Sequence, residues 1–201
     1  MKVQQAFATP LYSFQIKEAA SLNEALIRDI AALRAASPGM VKSNRNGWHS
    51  EADLFSRSEE SFKALCNALR SAVGEATRHA APHADLGKLR TTAHGWINVN
   101  PKGAYNAPHE HGGNTWSGVY FVKTTRDPAQ NSGLLDFLDP RTGTTVPEYS
   151  SLQLFPKKIS IRPVPGAIFI FPAYLMHWVH PNEEDEDRIS IAFNVRFEAA
   201  T

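Results

Sequence analysis

The chain has 201 residues, 42% hydrophobic and 20% charged, with eight His and one Cys. That length suffices for one domain with a proper core. Lys and Arg number 21 against 20 Asp and Glu, and the net charge of +1 argues against broad nucleic-acid or polybasic membrane binding. A single cysteine excludes an internal disulfide and any cysteine-built zinc or iron–sulfur site, so the chemistry is expected to run through imidazole.

The opening MKVQQAFATPLYSF lacks the apolar region of a secretory signal, and no run approaches the roughly 18 apolar residues of a membrane span. The expected location is the cytoplasm. A short strand is predicted around Pro10 to Ile16. Ser21 and Glu24 have capping-box spacing, and Leu22, Leu26, Ile30 and Leu33 then recur at helical intervals until Ser37-Pro38-Gly39. A second helix is expected from about Ser58 to Ala80, with Phe62, Leu65, Cys66, Leu69 and Val73 on one stripe. That stripe assigns Cys66 to core packing. Between the helices, the polar segment Asn44 to Ser50 with its embedded Trp48 reads as a surface loop or a lip over a site.

From residue 90 the pattern changes to short strands divided by Pro and Gly, predicted at 92–99, 116–124, 133–138, 158–163, 166–171 and 189–197. In the last, Ile189, Ile191, Phe193, Val195 and Phe197 face one way, and Arg188, Ser190, Ala192, Asn194 and Arg196 the other. Helices first and strands afterwards favour a sandwich or barrel with helices packed on one side. The expectation is a single domain over 1–201, mainly β, with a largely helical support in 1–90 and the β core in 91–198.

Phosphate-binding loops and a GxSxG elbow are absent from the sequence. The triplet His109-Glu110-His111 is the informative motif. On an extended backbone its two imidazoles share a face, with Glu110 on the other, and Gly112-Gly113 follows at once. Two neutral imidazoles on one side suit Fe(II), Zn(II), Mn(II) or Cu. A third donor lies in Phe171-Pro172-Ala173-Tyr174-Leu175-Met176-His177-Trp178-Val179-His180-Pro181. If the turn over 181–187 closes a symmetric hairpin, His180 shares a face with Arg188. His177 as the ligand requires a bulge or an irregular turn. Arg188 and Ser190 share a face and together could grip a carboxylate, although the acidic run Glu183 to Asp187 also offers Arg188 a surface ion pair. Trp96, Trp116 and Trp178 read as barrel core.

Several stretches together resemble the 2-oxoglutarate/Fe(II)-dependent oxygenases, in particular a bacterial and phage branch with prolyl-hydroxylase-like cores. They are Trp96-Ile-Asn98-Val-Asn100, Tyr105-Asn106-Ala-Pro-His109-Glu-His111, Ser117-Gly118-Val-Tyr120-Phe, the Phe171 to Pro181 segment and Arg188-Ile-Ser190. The resemblance spans roughly residues 94–198. It implies a double-stranded β-helix, a jelly-roll of cupin type, with a metal inside one mouth. It aligns His109, His111 and His177 with the metal ligands, His111 standing where the superfamily usually carries Asp or Glu. It further implies Fe(II) and 2-oxoglutarate as cofactors, with Arg188 and Ser190 on the distal carboxylate of 2-oxoglutarate, Asn98, Tyr105 and Asn106 lining the mouth, and Asn98 or Tyr105 hydrogen-bonding the same molecule. The implied reaction hydroxylates a small molecule or a protein side chain and releases succinate and CO2. Two other readings stand beside it: a three-His metalloenzyme of cupin type that does not use 2-oxoglutarate, and a non-catalytic jelly-roll binding module with a vestigial metal site.

Overall fold

The computed structural model describes residues 1–2, 7–125, 131–141 and 156–199. In chain order the elements are β1 (Tyr12–Gln15), α1 (Ala19–Ala36), β2 (Asn44–Arg45), β3 (Trp48–His49), α2 (Glu60–Ala80), β4 (Leu89–Asn100), β5 (Tyr105–His109), β6 (Trp116–Lys123), β7 (Leu135–Leu138), β8 (Lys158–Ile161), β9 (Ala167–Pro172), β10 (His177–Val179) and β11 (Arg188–Ala199). The strands form two antiparallel sheets, one of six strands ordered β1-β9-β6-β11-β4-β3 and one of five ordered β2-β5-β10-β7-β8.

The period-two alternation of β11 explains how the layers stack. Ile189, Ile191, Phe193 and Val195 join Ile97 and Val99 of β4 and the α2 stripe of Phe62, Leu65, Cys66, Leu69 and Val73 in one buried cluster. The opposite face of the same strands looks into the barrel, where Phe121, Leu135, Phe137, Phe171 and Leu175 form a second, smaller core. Helices therefore cover the outer face of the large sheet, and its inner face is free to build a site. Each fully buried aliphatic or aromatic side chain of the α2 stripe contributes about 1.5–3 kcal/mol. Cys66 is buried in the same stripe, 4% exposed, as the spacing predicts.

Three expectations change. Helix α1 begins at Ala19 rather than at a Ser21 cap, with Glu18 in a left-handed conformation (φ 53°) at its N-cap position and no side-chain cap. The Asn44 to Ser50 segment is neither loop nor lip alone: β2 and β3 pair there with β5 and β4, and Asn44, Trp48, His49 and Ser50 are buried. Finally, no hairpin joins the His177 segment to Arg188. Strands β10 and β11 lie in different sheets, and the chain between them crosses from one to the other. Pro181 cannot donate to a ladder, and Asn182 takes over. It is fully buried, its Nδ2 donates to the carbonyls of Asn100 and Glu186 at 2.9 and 2.8 Å, and its backbone N–H donates to Ala104.

Candidate metal centre

His109 closes β5 and His177 opens β10, and the two are direct cross-strand partners. His111 follows two residues on, its backbone N–H held by the Ala173 carbonyl at 2.9 Å. One ring nitrogen from each of the three lies within 4.8 Å of the others. Ring centroids stand 4.4 Å apart for His109 and His177, 4.9 Å for His109 and His111, and 5.2 Å for His111 and His177.

Two of these rings are fixed by their own strands. His109 Nδ1 sits 2.7 Å from the Ala107 carbonyl and His177 Nδ1 2.8 Å from the Leu175 carbonyl. A carbonyl only accepts, so each Nδ1 carries the proton and each Nε2 keeps its lone pair for the site. Burial, with repulsion from His177 and His109 added, pushes the His111 imidazole down to about 3. Burial pushes His177 down to about 4 and lowers His109 as well. All three are neutral donors at pH 7. Glu110 is exposed and does not line the cavity that holds them.

The same cavity contains Arg188, Ser190, Asn98, Asn106, Ser43 and Trp96. Arg188 is 1% exposed. Its Nη1 donates to Ser190 Oγ at 3.3 Å, its guanidinium lies over the Phe121 ring at 5.4 Å, and its Nε and Nη2 are buried with no partner. Burial lowers its pKa only to about 10, so it remains a cation at neutral pH. The neighbouring acidic turn does not neutralise it: Asp185 pairs with Lys102, Glu186 with Lys123 and Asp187 with Arg34. Among the described residues lining the cavity none carries a carboxylate. An unpaired buried charge costs several kcal/mol unless an opposite charge arrives. Arg188 therefore leaves an uncompensated positive charge inside the cavity. Asn98 Oδ1 is likewise buried without a partner, and an amide flip would present its Nδ2 to a bound carboxylate.

Of the residues expected at the mouth, the structure brings Asn98 and Asn106 into this cavity but not Tyr105. The cause is a bulge on β5. His177 pairs with His109 but Val179 with Asn106, so Ala107 and Pro108 together face Trp178. The extra residue reverses the facing of the strand, and Pro108, which has no N–H for the ladder, marks the place. His180 lies apart, its Nε2 2.8 Å from Asp136 Oδ2, in a group with Lys158. Trp96 is not core: it lines the cavity, with its ring 5.5 Å from that of His111 and between those of His49 and His94, at 5.6 and 6.0 Å. The HxH-plus-Arg pattern carries no signal for that placement, whereas the period of β4 does, since Trp96 and Asn98 share a face.

This arrangement, two antiparallel sheets enclosing a three-imidazole cluster and a buried cation, defines a metal-dependent double-stranded β-helix protein. Residues 94–194 match the family model described as "Putative 2OG-Fe(II) oxygenase", and the chain belongs to that family. No curated protein matches the sequence. Among solved structures, a prolyl-4-hydroxylase from Pseudomonas putida is similar, with a TM-score of 0.65 and 16% identity over 92% of this chain and 91% of that one. A prolyl hydroxylase from Trichoplax adhaerens, in complex with a hypoxia inducible factor peptide fragment, gives 0.65 and 15% over 92% and 83%. HygX from Streptomyces hygroscopicus, with nickel and 2-oxoglutarate bound, gives 0.64 and 14% over 94% and 83%. At these identities the neighbours establish the fold, and the family supplies Fe(II) and 2-oxoglutarate as cofactors. The donor set and the unpaired guanidinium fit both.

Proposed function

We propose that this chain is an Fe(II)- and 2-oxoglutarate-dependent dioxygenase that hydroxylates a small molecule or a protein side chain, with release of succinate and CO2. One observation carries the reading: Arg188, buried and unpaired, shares a cavity with three neutral imidazoles. His109, His111 and His177 would hold the iron. Arg188, with Ser190 beside it, would hold the distal carboxylate of 2-oxoglutarate as a charge-assisted pair, and Asn98 would hydrogen-bond the same molecule. The bound iron and 2-oxoglutarate supply the oxidising power. The chain's own work is to fix two ligand tautomers through backbone carbonyls, to orient the dianion by the Arg188 guanidinium, whose Nε and Nη2 have no partner in the protein, and to keep the interior dry with Phe121, Leu135 and Phe171.

The test is an anaerobic titration of Fe(II)-loaded protein with 2-oxoglutarate, watched for the visible metal-to-ligand charge-transfer band. The band should form in the wild type. In Arg188→Ala the half-saturating 2-oxoglutarate concentration should rise at least about tenfold, a loss on the scale of a charge-assisted hydrogen bond, while Fe(II) still binds. A metal-loaded wild type that shows no band and forms no succinate in air rules the reading out. The all-imidazole donor set favours one second reading, a three-His metalloenzyme that does not use 2-oxoglutarate. Under it Arg188→Ala leaves metal chemistry and 2-oxoglutarate response alike unchanged.

A further inference from the structure

With 2-oxoglutarate in place, the metal cavity still carries a net positive charge. A divalent ion on three neutral imidazoles and the buried Arg188 cation together amount to three positive charges, and the 2-oxoglutarate dianion offsets two. A carboxylate at position 111 would offset the third. His111 does not, and no described residue lining the cavity carries a carboxylate. Such a charge in a dry interior is costly until an anion pairs with it.

The rim supplies hydrogen-bond donors and a further cation at one place. Ser43 and Asn106 both line the cavity, where β2 pairs with β5 and the Ala107 N–H donates to the Ser43 carbonyl at 2.9 Å. Asn106 is 6% exposed. Its Oδ1 accepts from Asn100 Nδ2 at 3.1 Å, which leaves its own Nδ2 without a protein partner. Lys42, next to Ser43, is exposed and pairs with no acid among the described residues. Burial first, and then the Lys42 ammonium and His109, hold the His49 imidazole below its ordinary range, so Lys42 stands on the ligand side of the rim. Arg45 adds a second exposed cation, its Nη1 bound to the Lys42 and Asn44 carbonyls at 2.9 and 3.0 Å.

We infer that the substrate carries a carboxylate, received at this rim by Lys42 with Ser43 and Asn106 as donors. This rests on the oxygenase reading above and names its substrate class. A carboxylate leaving water needs several donors, and a hydroxyl, an amide and an ammonium supply them here. An uncharged substrate would leave the third charge uncompensated and the Asn106 amide unpaired. The two anion sites divide by depth: Arg188, fully buried, serves the cosubstrate, and exposed Lys42 serves a group that arrives with substrate. That group belongs either to a small acid or to an Asp or Glu side chain of a protein.

The test titrates the Fe(II)-loaded chain, anaerobic and saturated with 2-oxoglutarate, with propionate and with its uncharged isostere propionamide. Acetyl-glutamate amide and acetyl-glutamine amide form the peptide arm. An acid should shift the charge-transfer band without loss of amplitude, at a half-saturating concentration at least about tenfold below that of its amide. A shift by acetyl-glutamate amide alone assigns the carboxylate to a protein side chain, and a shift by propionate assigns it to a small acid. Lys42→Gln should weaken the acid about threefold and leave the 2-oxoglutarate titration unchanged. His111→Asp, which removes the third charge, should bring acid and amide within about twofold; if it takes up no iron, Lys42→Gln decides alone. A band that no acid shifts, that acid and amide shift alike, or that acids only bleach until more 2-oxoglutarate restores it overturns the assignment and leaves the oxygenase reading standing. If the wild type forms neither the band nor succinate, the oxygenase reading falls and the assignment with it.

Discussion

At the scale of the residue, the site's behaviour follows from imidazoles kept neutral by burial. In the unfolded chain His109, His111 and His177 take up protons as the pH falls through about 6.5, their ordinary value, whereas the folded His177 and His111 resist until about 4 and 3. Between those limits the unfolded state binds more protons, so stability rises with pH across that window and is lost as the pH falls through it. The metal-free protein should therefore show a falling Tm from pH 7 to pH 4.5. The triple variant with Gln at all three positions should lose much of that slope, a comparison for differential scanning calorimetry. An unchanged slope in the triple variant would place the acid sensitivity elsewhere.

At the scale of the element, the close approach of β6 to β11 has a clear structural basis. A Cβ at Gly118 would collide with the Phe193 ring and stand 2.9 Å from the Phe169 carbonyl. Gly118→Ala should destabilise the fold by about 1–3 kcal/mol through overpacking, read as a lower urea midpoint with unchanged m. Elements of this kind were legible in unequal measure. Long alternating strands such as β11, and the α2 stripe, announce themselves because one face is apolar along its whole length. Strands β5 and β10 do not. They are short, carry Pro108 and the site histidines where apolar residues would stand, and owe their existence to pairing with each other and with β2 and β7. The same bulge made Tyr105 and Asn106 exchange faces, which no local pattern encodes. His109 and His111 were legible as a pair because a regular backbone puts them together. The unpaired state of Arg188 was not, because it depends on Lys102, Lys123 and Arg34 drawing off the acidic turn.

At the scale of the whole molecule, two cores divide the labour. The helix-side cluster holds the large sheet flat against α1 and α2, and the inner cluster shapes the cavity. Leu65, wholly buried in the first, does not line the cavity. Leu65→Ala should cost about 2–5 kcal/mol of stability, measured by urea denaturation, while Ni(II) affinity of the folded protein stays within about twofold, since distant sites act independently. A parallel loss of metal affinity would show that the support layer sets ligand geometry. No helix among the described residues is long and apolar enough to cross a membrane.

The backbone carbonyls that fix His109 and His177 have a consequence for metal choice. Because the donors arrive already deprotonated at Nε2, at neutral pH acidity offers no barrier to any divalent ion that reaches the cavity. Three nitrogen donors without a carboxylate rank the first-row metals in their ordinary order, with copper, nickel and zinc ahead of iron. If these three imidazoles hold the metal, donor affinity alone does not select iron, and the ion available when the chain folds decides the loading.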